Sequence, residues 1–139
     1  MYTGENEIIA MTALVDEDAG SIESRFLEPS CGNGNFLVAI LNKKLTQVFD
    51  LYSSQKRQDH VEFNILRALS SIYGVDISPE NVSESIERMI IHVKDWYSEK
   101  LHTLQPNDKF YTSVEYILKQ NIVVGDMING VKEIVFVEF

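Results

Sequence analysis

Apolar residues recur along this chain in two rhythms. Four short apolar runs, "SRFLEP", "IYGVDIS", "NIVVGD" and "EIVFVEF", have the length and composition of strands. Between them the apolar positions fall at helical spacing. Leu37, Ile40, Leu41, Leu45, Val48, Phe49 and Tyr52 define one helix that opens at Asn35. "VEFNILRALSS" predicts a second, with Phe63, Leu66 and Leu69 on one side. The clearest helix carries Val82, Ile86, Met89, Ile90, Val93, Trp96, Tyr97 and Leu101, with Ser78 at its N-cap and Pro79 at its first position. Trp96 and Tyr97 therefore read as core residues rather than as a base-stacking platform. A short helix is predicted over residues 114–119, and the polar stretches "SSQKRQDH" and "HTLQPNDKF" read as loops. Strands that alternate with helices imply parallel pairing through right-handed crossovers, hence an α/β doubly wound sheet in a single domain over residues 1–139.

Length agrees with one domain, since 139 residues sit within the usual range of roughly 100 to 200, and 45% hydrophobic content is enough for a core. No window approaches the roughly 18 consecutive apolar residues of a membrane span, and the N-terminus lacks the basic and apolar regions of a signal peptide. The expectation is a soluble, cytoplasmic protein. One cysteine, Cys31, excludes an internal disulfide, and His60, His92 and His102 have no zinc-ligand spacing, so no metal is expected. Cys31 has no partnered histidine and reads as a small buried residue, not a nucleophile. The net charge of -9 weakens any contact with DNA by this chain alone, because nucleic-acid affinity rests on Lys and Arg neutralising phosphates.

The chemistry concentrates in "FLEPSCGNGNFL", where a strand ends on Glu28 and two glycines precede a helix. In parallel α/β sheets ligands sit at the carboxyl ends of the strands, where a glycine turn lets backbone approach the ligand and the next helix points its N-terminus there. Gly32 and Gly34 supply that closeness. Glu28 is placed to accept from a cationic or amine-bearing ligand, and Asp76, closing the second strand, from two ribose hydroxyls. A dinucleotide fingerprint fails, because Leu37 stands where a third glycine belongs and Asp76 lies 42 residues beyond Gly34 instead of about 20. Glu28 would also repel a pyrophosphate. A nucleoside bearing positive charge fits better. The plainer reading of Asp76 and Asp126 is as ordinary strand-end residues.

These residues resemble the S-adenosylmethionine-dependent DNA adenine methyltransferases, including the modification subunits of restriction-modification systems. "FLEPSCGNGNFL" is similar to the family's first motif, a strand ending in an acid followed by P-x-C-G-x-G-x-F, and so takes in Pro29 and Cys31. The resemblance implies that Glu28 faces the amino end of the cofactor's methionine part, that Gly32 and Gly34 form its floor, and that Phe36 lies beside it. "IYGVDIS" is similar to the second motif, which implies Asp76 on the ribose and Ile77 against the adenine. "VVGDMI" is similar to the third, which implies Asp126 on the adenine amino group with Met127 nearby. "YTGENEIIAMTALV" resembles the segment that covers the cofactor in one subgroup, with Tyr2 and Thr3 aligned and Gly4 in place of a proline.

The resemblance implies a Rossmann-like fold of the class I methyltransferase type, incomplete in this chain. It also implies S-adenosylmethionine as cofactor, and DNA as partner through other regions or through specificity or restriction subunits. The family's catalytic motif, Asn or Asp followed by Pro-Pro and an aromatic, holds the flipped adenine. No N-P-P-Y occurs in this sequence, so no catalytic residue is assigned and activity of this chain alone is not expected. Two alternatives stand beside this reading: a non-catalytic accessory subunit that binds S-adenosylmethionine or another nucleoside, and a methyltransferase acting on protein or a small molecule.

Overall fold

Three short parallel strands carry the fold in a computed structural model of the chain, which describes residues 21–126. The elements are β1 (Phe26–Glu28), α1 (Asn35–Gln55), α2 (Gln58–Ser70), β2 (Ile72–Asp76), α3 (Pro79–Lys100), α4 (Phe110–Asn121) and β3 (Ile122–Val124). The strands lie side by side in chain order. Phe26 pairs with Ile72 and Glu28 with Gly74, while Gly74 pairs with Ile122 and Asp76 with Val124. All three therefore point their carboxyl ends the same way, and two helices fill each crossover. The fold is α/β with a parallel sheet, as the alternation of periods implies. The fourth predicted strand lies outside the described residues.

Every residue of β2 is buried, as expected for a central strand covered on both faces. Gly74 is fixed by this packing, since a Cβ there would stand 3.0 Å from Leu37 Cδ1 and 3.3 Å from Cys31 Cβ. The core is built from Leu37, Ile40, Leu41, Leu45 and Val48 of α1, Val61, Ile65 and Leu69 of α2, Met89, Val93 and Tyr97 of α3, and Val114 and Leu118 of α4. Burying one such side chain contributes about 1.5 to 3 kcal/mol, and truncating it to alanine costs about 2 to 5 kcal/mol because a cavity remains. Trp96 and Tyr97 lie in this core as expected. Among the described residues no helix is long and apolar enough to cross a membrane.

Two boundaries and one buried face differ from the sequence expectation. The polar stretch over residues 53–60 is mostly helical: α1 runs to Gln55, α2 starts at Gln58, and only Lys56 and Arg57 connect them. The stretch has no glycine or proline to stop a helix. Lys56 makes the break by adopting φ 52°, with its N–H donating to the Tyr52 carbonyl at 2.7 Å. In α2 the buried stripe is Val61, Ile65, Ala68 and Leu69, whereas Phe63 is 60% exposed. The helix α4 is twice the expected length, because Phe110 and Asn121 are buried at its two ends.

Two buried polar groups explain the loops. The Glu62 carboxylate accepts from the Tyr97 hydroxyl at 2.6 Å and from the Asn107 side-chain and backbone nitrogens. It thereby ties the loop before α4 to α2 and α3. Lys44, fully buried in α1, donates to the carbonyls of Ser21 and Ser24 at 2.6 Å each and fixes the approach to β1. Burial lowers its ammonium to about 8.

Candidate functional site

The carboxyl ends of β1 and β2 are joined through a turn that neither strand could hold alone. After Glu28 the chain bends, and the Cys31 N–H extends the ladder to the Val75 carbonyl at 2.8 Å. Gly32 and Gly34 then adopt φ 53° and 95°, left-handed values that strain any side-chain-bearing residue. The Gly34 N–H closes the turn on the Cys31 carbonyl at 3.0 Å, and its own carbonyl accepts the first bond of α1, from Val38.

The two glycines have different reasons for being glycine. A Cβ on Gly34 would lie 3.0 Å from both the Cα and the hydroxyl of Ser85, so Gly34 is required by the packing of the turn on α3. A Cβ on Gly32 would meet nothing within 4 Å. Gly32 thus presents bare backbone to open space, the arrangement that close approach of a ligand needs.

Asp76 organises this end of the sheet. Its Oδ2 accepts from the Gly32 N–H at 2.9 Å, and its Oδ1 accepts from the Ser78 N–H at 2.9 Å and the Asn81 side-chain amide at 3.2 Å. Its carbonyl accepts from Gly125 N–H at 2.9 Å, which draws the start of the β3 loop, and so half-buried Asp126, toward the same end. Burial pushes the Asp76 carboxyl up, but the bonds from Ser78, Asn81 and Gly32 outweigh it and hold the group below the usual carboxylate range. The carboxylate is ionised and oriented. A carboxylate offers about four acceptor positions, so three donors leave one open, on Oδ2.

Glu28 is half-buried, and burial raises its carboxyl above the ordinary value while the Ser30 N–H, 3.2 Å from Oε1, pulls it back. A second carboxylate beside the turn therefore favours a cationic partner over an anionic one. Cys31 is 5% exposed; burial raises its thiol, the Ser85 hydroxyl partly offsets this, and Asp76 and Glu28 raise it further. These groups favour the protonated thiol over the thiolate.

Around these groups stand Pro29, half-buried, Phe36, 45% exposed with its ring 5.4 Å from that of Phe26, and Ile77, the most exposed large apolar side chain described, at 71%. Ile77 thus leaves an apolar surface open directly after the strand-end acid. Tyr2, Thr3 and Met127 lie outside the described residues. Among the described residues no group of three or more His, Cys, Asp or Glu is placed to hold a metal ion.

Three contributors escape the motif reading: Asn81, Ser85 and Arg88, all on α3. The Ser85 hydroxyl donates to the Gly32 carbonyl at 2.9 Å, and one Arg88 nitrogen donates to the Asn33 carbonyl at 3.0 Å and to the Asn35 side chain at 2.6 Å. Their spacing of four and three residues puts them on one helix face. The one available signal was Ser85, a polar residue in register with the buried face of α3. Compared with known proteins, this chain matches no family model, no curated protein and no solved structure.

Proposed function

We propose that this chain is the cofactor-binding part of an S-adenosylmethionine-dependent DNA adenine methyltransferase of the restriction-modification type, with its sheet the start of a doubly wound class I methyltransferase fold. The observation that carries the reading is the Gly32 N–H bond to Asp76, which sets an open backbone turn against an oriented carboxylate beside half-buried Glu28. These groups suit a nucleoside with a positive end. Stretches that resemble the family's first three motifs follow one another in the family's order in the sequence, which adds to the same reading.

In this reading Glu28 receives the amino end of the cofactor, the Gly32 turn its backbone, Asp76 one ribose hydroxyl through Oδ2, Ile77 the adenine face and Asp126 the adenine amino group. The cofactor supplies an electrophilic sulfonium methyl, and transfer to an exocyclic amine then depends on placement within contact distance rather than on a covalent enzyme intermediate. The chain's residues bind and orient the donor. Holding the target adenine falls to groups outside this chain, since the N-P-P-Y segment is absent from the sequence and a charge of -9 repels a duplex. That same absence favours a second reading, a non-catalytic accessory subunit that uses the site for S-adenosylmethionine.

The test is incorporation of radiolabelled methyl into mixed-sequence DNA by the purified 139-residue chain and by the full product of its reading frame. The methyltransferase reading expects no label from the short chain and label on adenine amino groups from the full product. No label from either supports the accessory reading. Label in protein or small molecules instead of DNA overturns the choice of substrate, and label in DNA from the short chain refutes the statement that it lacks a catalytic group.

A further inference from the structure

The turn at Gly32–Gly34 makes few bonds of its own. Its internal closure is one N–H bond to the Cys31 carbonyl, and two of its residues sit at left-handed φ. The rest of what fixes it comes from β2 and α3. Asn81 holds Asp76, which holds the Gly32 N–H; Ser85 holds the Gly32 carbonyl; Arg88 holds the Asn33 carbonyl and the side chain of Asn35 at the first position of α1. Ser85 is fully buried, and its Cα and hydroxyl leave no room for a Cβ on Gly34. A planar trans peptide opposes its C=O and N–H. With the Gly32 carbonyl turned to Ser85, the Asn33 N–H is directed away from α3.

We propose that the Asn81, Ser85 and Arg88 face of α3 sets the conformation of the glycine turn, and that Arg88 is a positioning residue for the ligand received by the turn and Asp76. The part concerning ligand rests on the nucleoside-site reading above; the part concerning the turn does not. Arg88 is the informative member of the three. Asn81 and Ser85 pack directly against the site, so their removal disturbs it by several routes. Arg88 reaches the turn only through the outer side, at Asn33 and Asn35. Both bonds leave one terminal nitrogen of the guanidinium, whose two N–H directions are fixed in a rigid plane, a geometry that a freely rotating ammonium does not hold. A turn held less firmly is competent for a smaller fraction of the time, and apparent affinity falls by that fraction.

Hydrogen exchange of individual amides in the ligand-free protein, together with calorimetric titration by S-adenosylhomocysteine, tests both parts on wild type, Arg88→Ala and Arg88→Lys. Arg88→Ala is expected to lower protection of the Gly32 and Gly34 amides about tenfold and to weaken S-adenosylhomocysteine about tenfold, the scale of one lost net hydrogen bond of the charged kind. The core amides of Ile65 and Leu69 keep their protection, and Arg88→Lys recovers part of both effects. Unchanged protection at Gly32 and Gly34, or an equal loss at Ile65 and Leu69, overturns the claim about the turn. Lost protection with unchanged affinity overturns the claim about ligand. Absence of binding by the wild type removes the nucleoside reading, and the exchange result still decides whether Arg88 sets the turn.

Discussion

The amide of Gly32 donates to the Oδ2 of Asp76 at 2.9 Å, joining residues 44 apart in the chain. This bond makes a strand-end acid and a glycine turn into one unit: the same carboxylate caps the turn and retains an acceptor for a ligand. Three acceptor positions of the Asp76 side chain are spent on the protein, which leaves one for the ligand of the proposed site.

Asp76→Ala should therefore destabilise the protein as well as the site. Removing the carboxylate leaves three donors, at Gly32, Ser78 and Asn81, without their acceptor, and each buried unpaired group costs about 1 to 3 kcal/mol before relaxation. A loss of about 2 kcal/mol or more is expected in urea unfolding. The pH dependence has a fixed sign. With its folded value held below the ordinary 3.8, Asp76 contributes stability that is complete above that value and is lost as pH falls through the folded one. Acid unfolding below about pH 4 should be less steep in Asp76→Ala than in wild type; equal slopes would show that Asp76 is not held as described.

The two glycines should separate on substitution. Gly34→Ala combines a φ of 95° with a Cβ 3.0 Å from the Ser85 backbone, so its stability should fall by roughly 2 kcal/mol or more. Gly32→Ala has open space and a φ of 53°, close to the left-handed well, so about 1 kcal/mol is expected. Its larger effect should be on ligand binding, through the new methyl group facing open space. Thermal unfolding and titration of both variants check this, and a Gly32→Ala protein that binds S-adenosylhomocysteine as wild type does would place the ligand elsewhere.

Lys44 gives a second pH signature, at the alkaline end. Burial lowers its ammonium from the ordinary 10.5 to about 8, so between these values the unfolded chain binds a proton that the folded chain does not. Stability contributed by this group rises with pH across that window, by up to about 1.4 kcal/mol per unit. Denaturation midpoints measured from pH 7.5 to 10 should show the rise in wild type and its absence in Lys44→Met. A parallel decline in both proteins would mean that the two serine carbonyls hold the charged form as well as water does.

How much of this was legible in the sequence depends on how local each feature is. The Ser78 cap with Pro79 behind it and the helix opening at Asn35 were readable because neighbouring residues determine them, and the Ser78 hydroxyl does accept from the Asn81 N–H at 3.2 Å. The break at Lys56 was not, since a left-handed lysine carries no compositional mark. The face of α2 was misjudged because Phe63 is as apolar as Ile65, and only the sheet decides which of them is buried. Ser85 carries a signal only as a polar residue on the buried face of α3, and Arg88 carries none, because their bonds to the turn span 53 to 55 residues.

Glu28 should make the site choose between nucleoside ligands. Its half-buried carboxylate repels a pyrophosphate and attracts an amine, so S-adenosylhomocysteine is expected to raise the melting temperature while NAD leaves it unchanged. In Glu28→Gln the advantage of S-adenosylhomocysteine should shrink. A larger shift with NAD in the wild type would return the glycine turn to dinucleotide binding.

The most direct test of the whole account is where a ligand lands. In a titration of the isotope-labelled chain with S-adenosylhomocysteine, followed by amide NMR, the account predicts saturable shifts largest at Gly32, Asn33, Gly34, Ile77 and Gly125, the residues gathered at the carboxyl ends of β1, β2 and β3. It predicts none in the groove of about 470 Å³ between Arg25, Phe63 and Arg67, which lies at the amino ends of β1 and β2, opposite the turn. Shifts confined to that groove, or no shifts at millimolar ligand, would contradict it.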